Sequence, residues 1–425
     1  MQLRECLLAL VSYWMIGWAM SHPHVTKADA LHTPEAKLEL RNFYMNRDFR
    51  EGHGPSKREE WAQGFLLHLD SGFTEGTVGV GAQALGMYGV KLDSGPGRVG
   101  TGLLPVHDTG RAADEYAKLA LSGKLKYNAT YLSIGELLVP TLPTIRPNDG
   151  RLFPQTFEGG MLSVRDIDRL TLTAGRLSKV RQRNSTDQAD LTLSLLNRRF
   201  SGHGASADHF DFFGLDYQAS DKLLLRYHGA QLDDVYRQHV LTLTHSGRLG
   251  PGAWNTDLRY SRQDDYGSAK GGTVNNRALQ GLLGYTLRGH QLGLTYQQML
   301  GETGYAYVHG TDPNLINLSI LGEFANAKER SWALRYGYDF AHLGIPGLQA
   351  GSRYISGERA RITGTSRRGR EWEGDNEVRY TLQSGPAKDL SIRLRQATYR
   401  SNYARNFPRD TDDWRVQITY TWALH

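Results

Sequence analysis

Ser391-Ile392-Arg393-Leu394-Arg395-Gln396-Ala397-Thr398-Tyr399 places Arg393 and Arg395 on one face of an extended chain and Ile392 and Leu394 on the other, because strand side chains alternate with a period of two. Alone, such a stretch fits any half-buried sheet. Its weight comes from repetition. Eighteen alternating segments run from about 37–45 to about 412–423, the sixth at 168–177 and the seventh at 189–197. About 395 mature residues shared among eighteen strands leave about 22 per strand and connection, which suits a transmembrane barrel.

The clearest segments agree on their faces. In 331–340, Trp332, Leu334, Tyr336, Tyr338 and Phe340 share one side, with Ala333, Arg335, Gly337 and Asp339 opposite. In 412–424, Trp414, Val416, Ile418, Tyr420, Trp422 and Leu424 oppose Arg415, Gln417, Thr419 and Thr421. Aromatic residues at the ends of apolar faces are expected where strands cross a lipid interface. Connections alternate in length as well. Gln218-Ala219-Ser220-Asp221, Arg288-Gly289-His290 and Ser384-Gly385-Pro386-Ala387 are tight, whereas about 138–165 and 300–328 are long. Short turns at one rim and long loops at the other mark an outer-membrane barrel. The expected fold is therefore all-β, an antiparallel barrel of about eighteen strands whose long external loops fold into the lumen.

Composition narrows the alternatives. With 39% hydrophobic residues and no internal run of about 18 apolar residues, helical membrane spans are excluded. The 48 glycines, 22 tyrosines and 8 tryptophans supply turns and interfacial girdles. A net charge of +6 would also fit a nucleic-acid binder, but the arginines are spread through strands and loops, so no nucleic-acid partner is expected. Residues 1–30 read as a secretory signal, with Arg4 ahead of an apolar stretch from Cys6 to Met20 and a small-x-small site at Ala28-Asp29-Ala30, Ser21 being an earlier alternative. That leaves 31–425 as the barrel. Cys6 is the sole cysteine, so the mature chain has no thiol for catalysis or metal binding. The fifteen histidines are scattered, and no glycine-lysine phosphate loop occurs. No catalytic residue, metal or cofactor is expected.

Turning the apolar faces outward sends Glu39, Arg41, Arg226, His228, Asp257, Arg259, Arg335, Arg353, Arg379, Arg393, Arg395 and Arg415 into the lumen. Closure brings the first strand beside the last, and with it Arg41 toward Arg415 and the Arg393/Arg395 pair. Fixed guanidiniums in a narrow aqueous passage attract carboxylates. Each arginine by itself is equally well read as a packing residue paired to an Asp or Glu. The long connections supply the constriction: Arg146 and Arg151 in the first, Asp312 in the second.

Several blocks carry a resemblance. Leu40-Arg41-Asn42-Phe43-Tyr44-Met45-Asn46-Arg47-Asp48, Lys57-Arg58-Glu59-Glu60-Trp61-Ala62-Gln63-Gly64, Asn148-Asp149-Gly150-Arg151-Leu152, Gln155-Thr156-Phe157-Glu158-Gly159-Gly160 and Arg393-Leu394-Arg395-Gln396-Ala397 resemble the OprD porins, substrate-specific outer-membrane channels of pseudomonads. The resemblance covers nearly the whole mature chain. It implies a monomeric eighteen-stranded barrel in the outer membrane of a Gram-negative bacterium, narrowed by its third and seventh external loops and passing small carboxylate-bearing solutes such as amino acids or aromatic acids. It implies pore roles for Arg41, Arg151, Arg183, Arg393, Arg395 and Arg415, with Asp312 as an acidic counterpart. The chain departs from the pattern at its end, Trp422-Ala423-Leu424-His425, where such barrels commonly finish on an aromatic or apolar residue. A non-transporting envelope barrel is the alternative reading. An outer-membrane hydrolase is a third, and no strained nucleophile turn supports it.

Overall fold

A computed structural model describes residues 34–424 except 51, 196–198, 365 and 404–408; the proposed signal at 1–30 and the terminal His425 lie outside the described residues. Eighteen strands form the wall: β1 Glu35–Phe49, β2 Lys57–Asp70, β3 Val78–Asp93, β4 Glu115–Tyr127, β5 Thr130–Leu138, β6 Thr156–Ile167, β7 Leu170–Arg181, β8 Phe210–Ser220 and β9 Leu223–Leu232. They continue as β10 Tyr236–Leu249, β11 Gly252–Asp265, β12 Asn275–Leu287, β13 His290–Met299, β14 Arg330–Asp339, β15 Leu348–Arg361, β16 Arg368–Thr381, β17 Ser391–Ser401 and β18 Thr411–Leu424. Each strand pairs antiparallel with its sequence neighbours. The ring closes through β1 and β18, in register from Ala36 opposite Leu424 to Phe49 opposite Thr411. Closure leaves the wall with no open edge, as lipid demands of a sheet whose backbone groups cannot bond to water.

The faces follow the expected phase. Leu334 and Trp414 stand outward, 52% and 57% exposed, while Ala333 and Arg415 are buried inside at 0% and 4%. Turns at the inner rim are short because alternate connections must reverse the chain at once. Arg288 and Gly289 both take left-handed backbone, φ +47° and +82°, the conformation a two-residue hairpin turn requires.

One of the eighteen expected strands is overturned and one unexpected strand takes its place in the count. The expected strand at 189–197 is not a wall strand over its described part, 189–195: Gln188–Ala189 and Leu191–Thr192 are two-residue pieces, the latter pairing with Ser206–Ala207. Leu191 and Leu193 are buried there, Leu193 bridging to Val308, so the alternation records loop packing. The missing strand is β6, which falls inside the long connection expected at 138–165. Its period is erased by Gly159-Gly160 and by register breaks at Glu158/Gly159 and Val164/Ile167. With β6 in place, the connection after Arg181 follows an odd-numbered strand and belongs to the long-loop rim.

The lumen is not polar all round. On β1 to β4, Phe43, Met45, Ala62, Leu66, Leu85, Met87 and Tyr116 point inward and bury Leu103 and Leu104 of the 94–114 loop with Leu152 and Phe153 of the 139–155 loop. Near β7 to β9, Leu177, Phe210, Phe212 and Leu232 do the same for Ile145, Leu193, Phe200 and Val308. Each fully buried Leu or Phe contributes roughly 2 kcal/mol. Hydrophobic burial thus fixes the inward-folded loops.

Candidate functional site

The throat is built by three external loops, 139–155 (loop 3), 182–209 (loop 4) and 300–329 (loop 7), of which the last is pressed against the β14 to β18 wall. Loop 7 crosses the lumen as a strap held by wall side chains that act as backbone substitutes. The Gln280 amide donates to the Asn314 carbonyl at 3.0 Å and its oxygen accepts from the Ile316 N–H at 2.6 Å. Gln263 does the same for Ala306, at 2.7 and 2.8 Å. Arginines continue the grip. Arg335 donates to the Ile316 carbonyl, Arg353 to that of Leu318 at 2.9 Å, and Arg415 to that of Ile320 at 3.3 Å. Three alternate carbonyls therefore meet three guanidiniums. The Glu373 carboxylate receives the Leu321 and Gly322 N–H groups at 2.9 and 2.7 Å.

Seven residues stood out in the sequence, and the structure spreads them between wall and loops. Arg41, on β1, pairs with Glu39 at 2.8 Å and Asp149 at 2.7 Å, and donates to the Arg151 carbonyl at 3.0 Å. It thereby secures the tip of loop 3. Its strand neighbour on β18 is Thr419, four residues from Arg415. Arg393 pairs with Glu377 at 2.7 Å. Arg395 lies directly opposite Arg415 across β17 and β18, and Arg415 pairs with Asp413 at 2.6 Å. Arg47, which the sequence reading did not single out, shares Asp413 at 2.9 Å.

Arg151 and Arg183 differ from these. The Arg151 guanidinium donates to the Thr101 carbonyl at 2.9 Å and the Gly150 carbonyl at 2.7 Å, and Arg183 donates to the Asn148 side-chain oxygen. Among the described residues neither has a carboxylate within 4.0 Å. Burial, with Arg415, Arg183 and Arg47 nearby, pulls the Arg151 pKa well below the usual guanidinium value. Burial also lowers that of Arg183, to about 10, against the opposing pull of Asp312. Arg183 stays charged at neutral pH. An incoming anion gains most where a cation is poorly compensated.

Lys118 was also missed. From the inner face of β4 it donates to the Gln182 and Arg183 carbonyls at 2.9 and 3.1 Å, which sets the start of loop 4 and so aims Arg183. Alternation with the outward Leu119 and Leu121 was the available signal.

Asp312 sits on loop 7 against loop 3. It accepts from the Asn148 amide, and its own N–H donates to the Arg146 carbonyl at 2.9 Å. Burial pushes its carboxyl up from the ordinary value, against the opposing pull of Arg146 and Arg183. Such a group takes up its proton at a higher pH than a free aspartate. Acidification therefore removes a negative charge from the throat over a range that begins above that of a free aspartate. Anion preference, read as the reversal potential under a KCl gradient, will rise over that range, and the rise will be absent in Asp312→Asn. An equal rise in both proteins would assign the effect elsewhere.

A closed ring of lipid-facing strands, with a charged lumen narrowed by inward loops, is an outer-membrane channel. Residues 29–424 match the family described as outer membrane porin, OprD family. The chain belongs to the OprD family of outer-membrane porins. It is 36% identical to the porin-like protein GalP of Pseudomonas putida over 392 residues, 92% of either chain, and 34% identical to Porin D of Pseudomonas aeruginosa, covering 91% of this chain and 90% of that one. Among solved structures, Pseudomonas aeruginosa OccK9 (OpdG) superposes with a TM-score of 0.88 at 45% identity, covering 93% of this chain and 99% of that one. OpdK of the same organism, solved with vanillate, gives 0.86 at 39%, covering 93% and 100%. The protein is accordingly a passive channel of the Gram-negative outer membrane and not an enzyme.

Proposed function

We propose that this porin takes up small carboxylate-bearing solutes through its arginine-lined throat, acting as a single barrel after export directed by residues 1–30. The observation that carries the reading is the pair Arg151 and Arg183, two guanidiniums held by neutral oxygens. A carboxylate entering the throat exchanges part of its hydration for these donors. It leaves because Arg395 and Arg415 offer a further foothold along the wall, so no single site traps it. Arg41 and Arg393 shape the passage through their ion pairs, and Asp312 sets a negative group opposite the cations. That opposition admits the ammonium of an amino acid as well as a simple acid. Vanillate, present in the OpdK structure, is an aromatic carboxylate, in keeping with this chemistry.

The test is uptake by proteoliposomes of a radiolabelled panel: benzoate-like acids, amino acids, dicarboxylates and neutral analogues of equal size. Carboxylates will enter at least about tenfold faster than their neutral amides, a difference worth about 1.4 kcal/mol. Equal rates for acid and amide would remove the arginines from the account.

A further inference from the structure

The outward face of the wall is apolar along the middle of most strands, and over β1 and β17 polar residues reach well down it. On β1, Leu38 and Leu40 are followed outward by Asn42, Tyr44, Asn46 and Asp48; on β17, Ile392 and Leu394 are followed by Gln396, Thr398 and Arg400. The change runs toward the long-loop rim, the outer side of the membrane. Side-chain bonds knit the patch together. Asn42 donates to Gln63 at 3.0 Å, Trp61 to Asn42 at 2.9 Å, Asn376 to Gln396 at 2.9 Å, and Gln396 to Thr398 at 2.7 Å. In its middle lies a cleft of about 680 Å³ lined by Asn46, Asp48, Arg50, Gln396, Arg400 and Trp414 among others. Two residue rows build it. Asn46, Trp414 and Gln396 are neighbours across β1, β18 and β17, and Asp48, Asp412 and Thr398 form the next row. Arg50 and Arg400 both reach Asp412.

Amides, carboxylates and guanidiniums facing acyl chains each cost several kcal/mol, yet here they line a concave site beside a tryptophan that is 57% exposed. Amide and carboxylate groups that bond hydroxyls, beside an indole face for a sugar ring and guanidiniums for phosphate, form the chemistry of a phosphorylated saccharide. Because the cleft opens on the lipid-facing wall, its occupant must be anchored in that lipid. We propose that this cleft binds the saccharide head group of an outer-leaflet glycolipid of the lipopolysaccharide class.

The full-length barrel, refolded in lipid-free detergent, is titrated by native mass spectrometry with rough lipopolysaccharide, with its deacylated soluble core and with phosphatidylglycerol. Saturable binding of lipopolysaccharide to wild type is expected. It should be at least tenfold tighter than for the other two, and at least tenfold weaker in Arg50→Gln/Arg400→Gln and, separately, in Asn46→Leu/Gln396→Leu. The second pair restores a greasy face and keeps the test valid if the first fails to fold. Single-channel conductance should be unchanged in both, since none of the four faces the lumen. Equal binding by wild type and variants overturns the proposal. So does equal binding of phosphatidylglycerol or of the soluble core, or a barrel dimer that occupies the face in place of lipid.

Discussion

Replacing Arg151 and Arg183 together by glutamine will lower carboxylate flux through the pore by roughly thirtyfold while leaving neutral solutes of the same size unaffected. Unit charges about 8 Å apart at an effective dielectric near 20 interact by about 2 kcal/mol, which salt screening brings to about 1 kcal/mol each. Both must be changed, because either guanidinium left in place still draws the anion to the throat. Glutamine keeps a donor for the Thr101 carbonyl and the Asn148 oxygen, so the loops have the same local bonds to make. Proteoliposome uptake measures the flux, and reversal potentials measure the accompanying loss of anion preference. A folded double variant with wild-type carboxylate flux would shift the selective element to the Arg395 and Arg415 pair on the wall.

Arg353→Ala will both destabilise the barrel and widen its conductance. The guanidinium contacts Asp375, its Nε at 3.0 Å, and holds the Leu318 carbonyl of the strap. Both partners of the ion pair are buried, Asp375 fully. Removing one member of a buried pair leaves the other charge uncompensated, at a cost of about 3–5 kcal/mol. Loop 7 also loses the central one of the three guanidiniums that hold its backbone carbonyls, between Arg335 at Ile316 and Arg415 at Ile320. The strap will then fluctuate away from the wall. The expected readings are a fall of several degrees in the temperature of prior heating at which the folded band is lost on electrophoresis, and larger, noisier single-channel currents. Unchanged conductance with reduced stability would mean that the glutamine contacts at Gln280 and Gln263 suffice to hold the strap.

What the sequence by itself determined is the wall. The side on which Trp332, Leu334 and Tyr336 lie is a local covalent property of an extended chain, so β14, β17 and β18 could be read directly with their faces. The same rule failed at β6, where Gly159 and Gly160 carry no side chain to mark a face and register breaks shift the period. It misread 189–197, whose leucines alternate because a loop inside the barrel has a dry side too. The tertiary structure alone decided what each arginine does. Arg41 meets Asp149 across more than a hundred residues of chain, Arg353 meets Asp375 and the strap, and Arg151 and Arg183 bond, among the described residues, to carbonyl and amide oxygens. Charge compensation depends on distances of a few ångströms in three dimensions, and a period-two pattern fixes the direction of a side chain without fixing its partner.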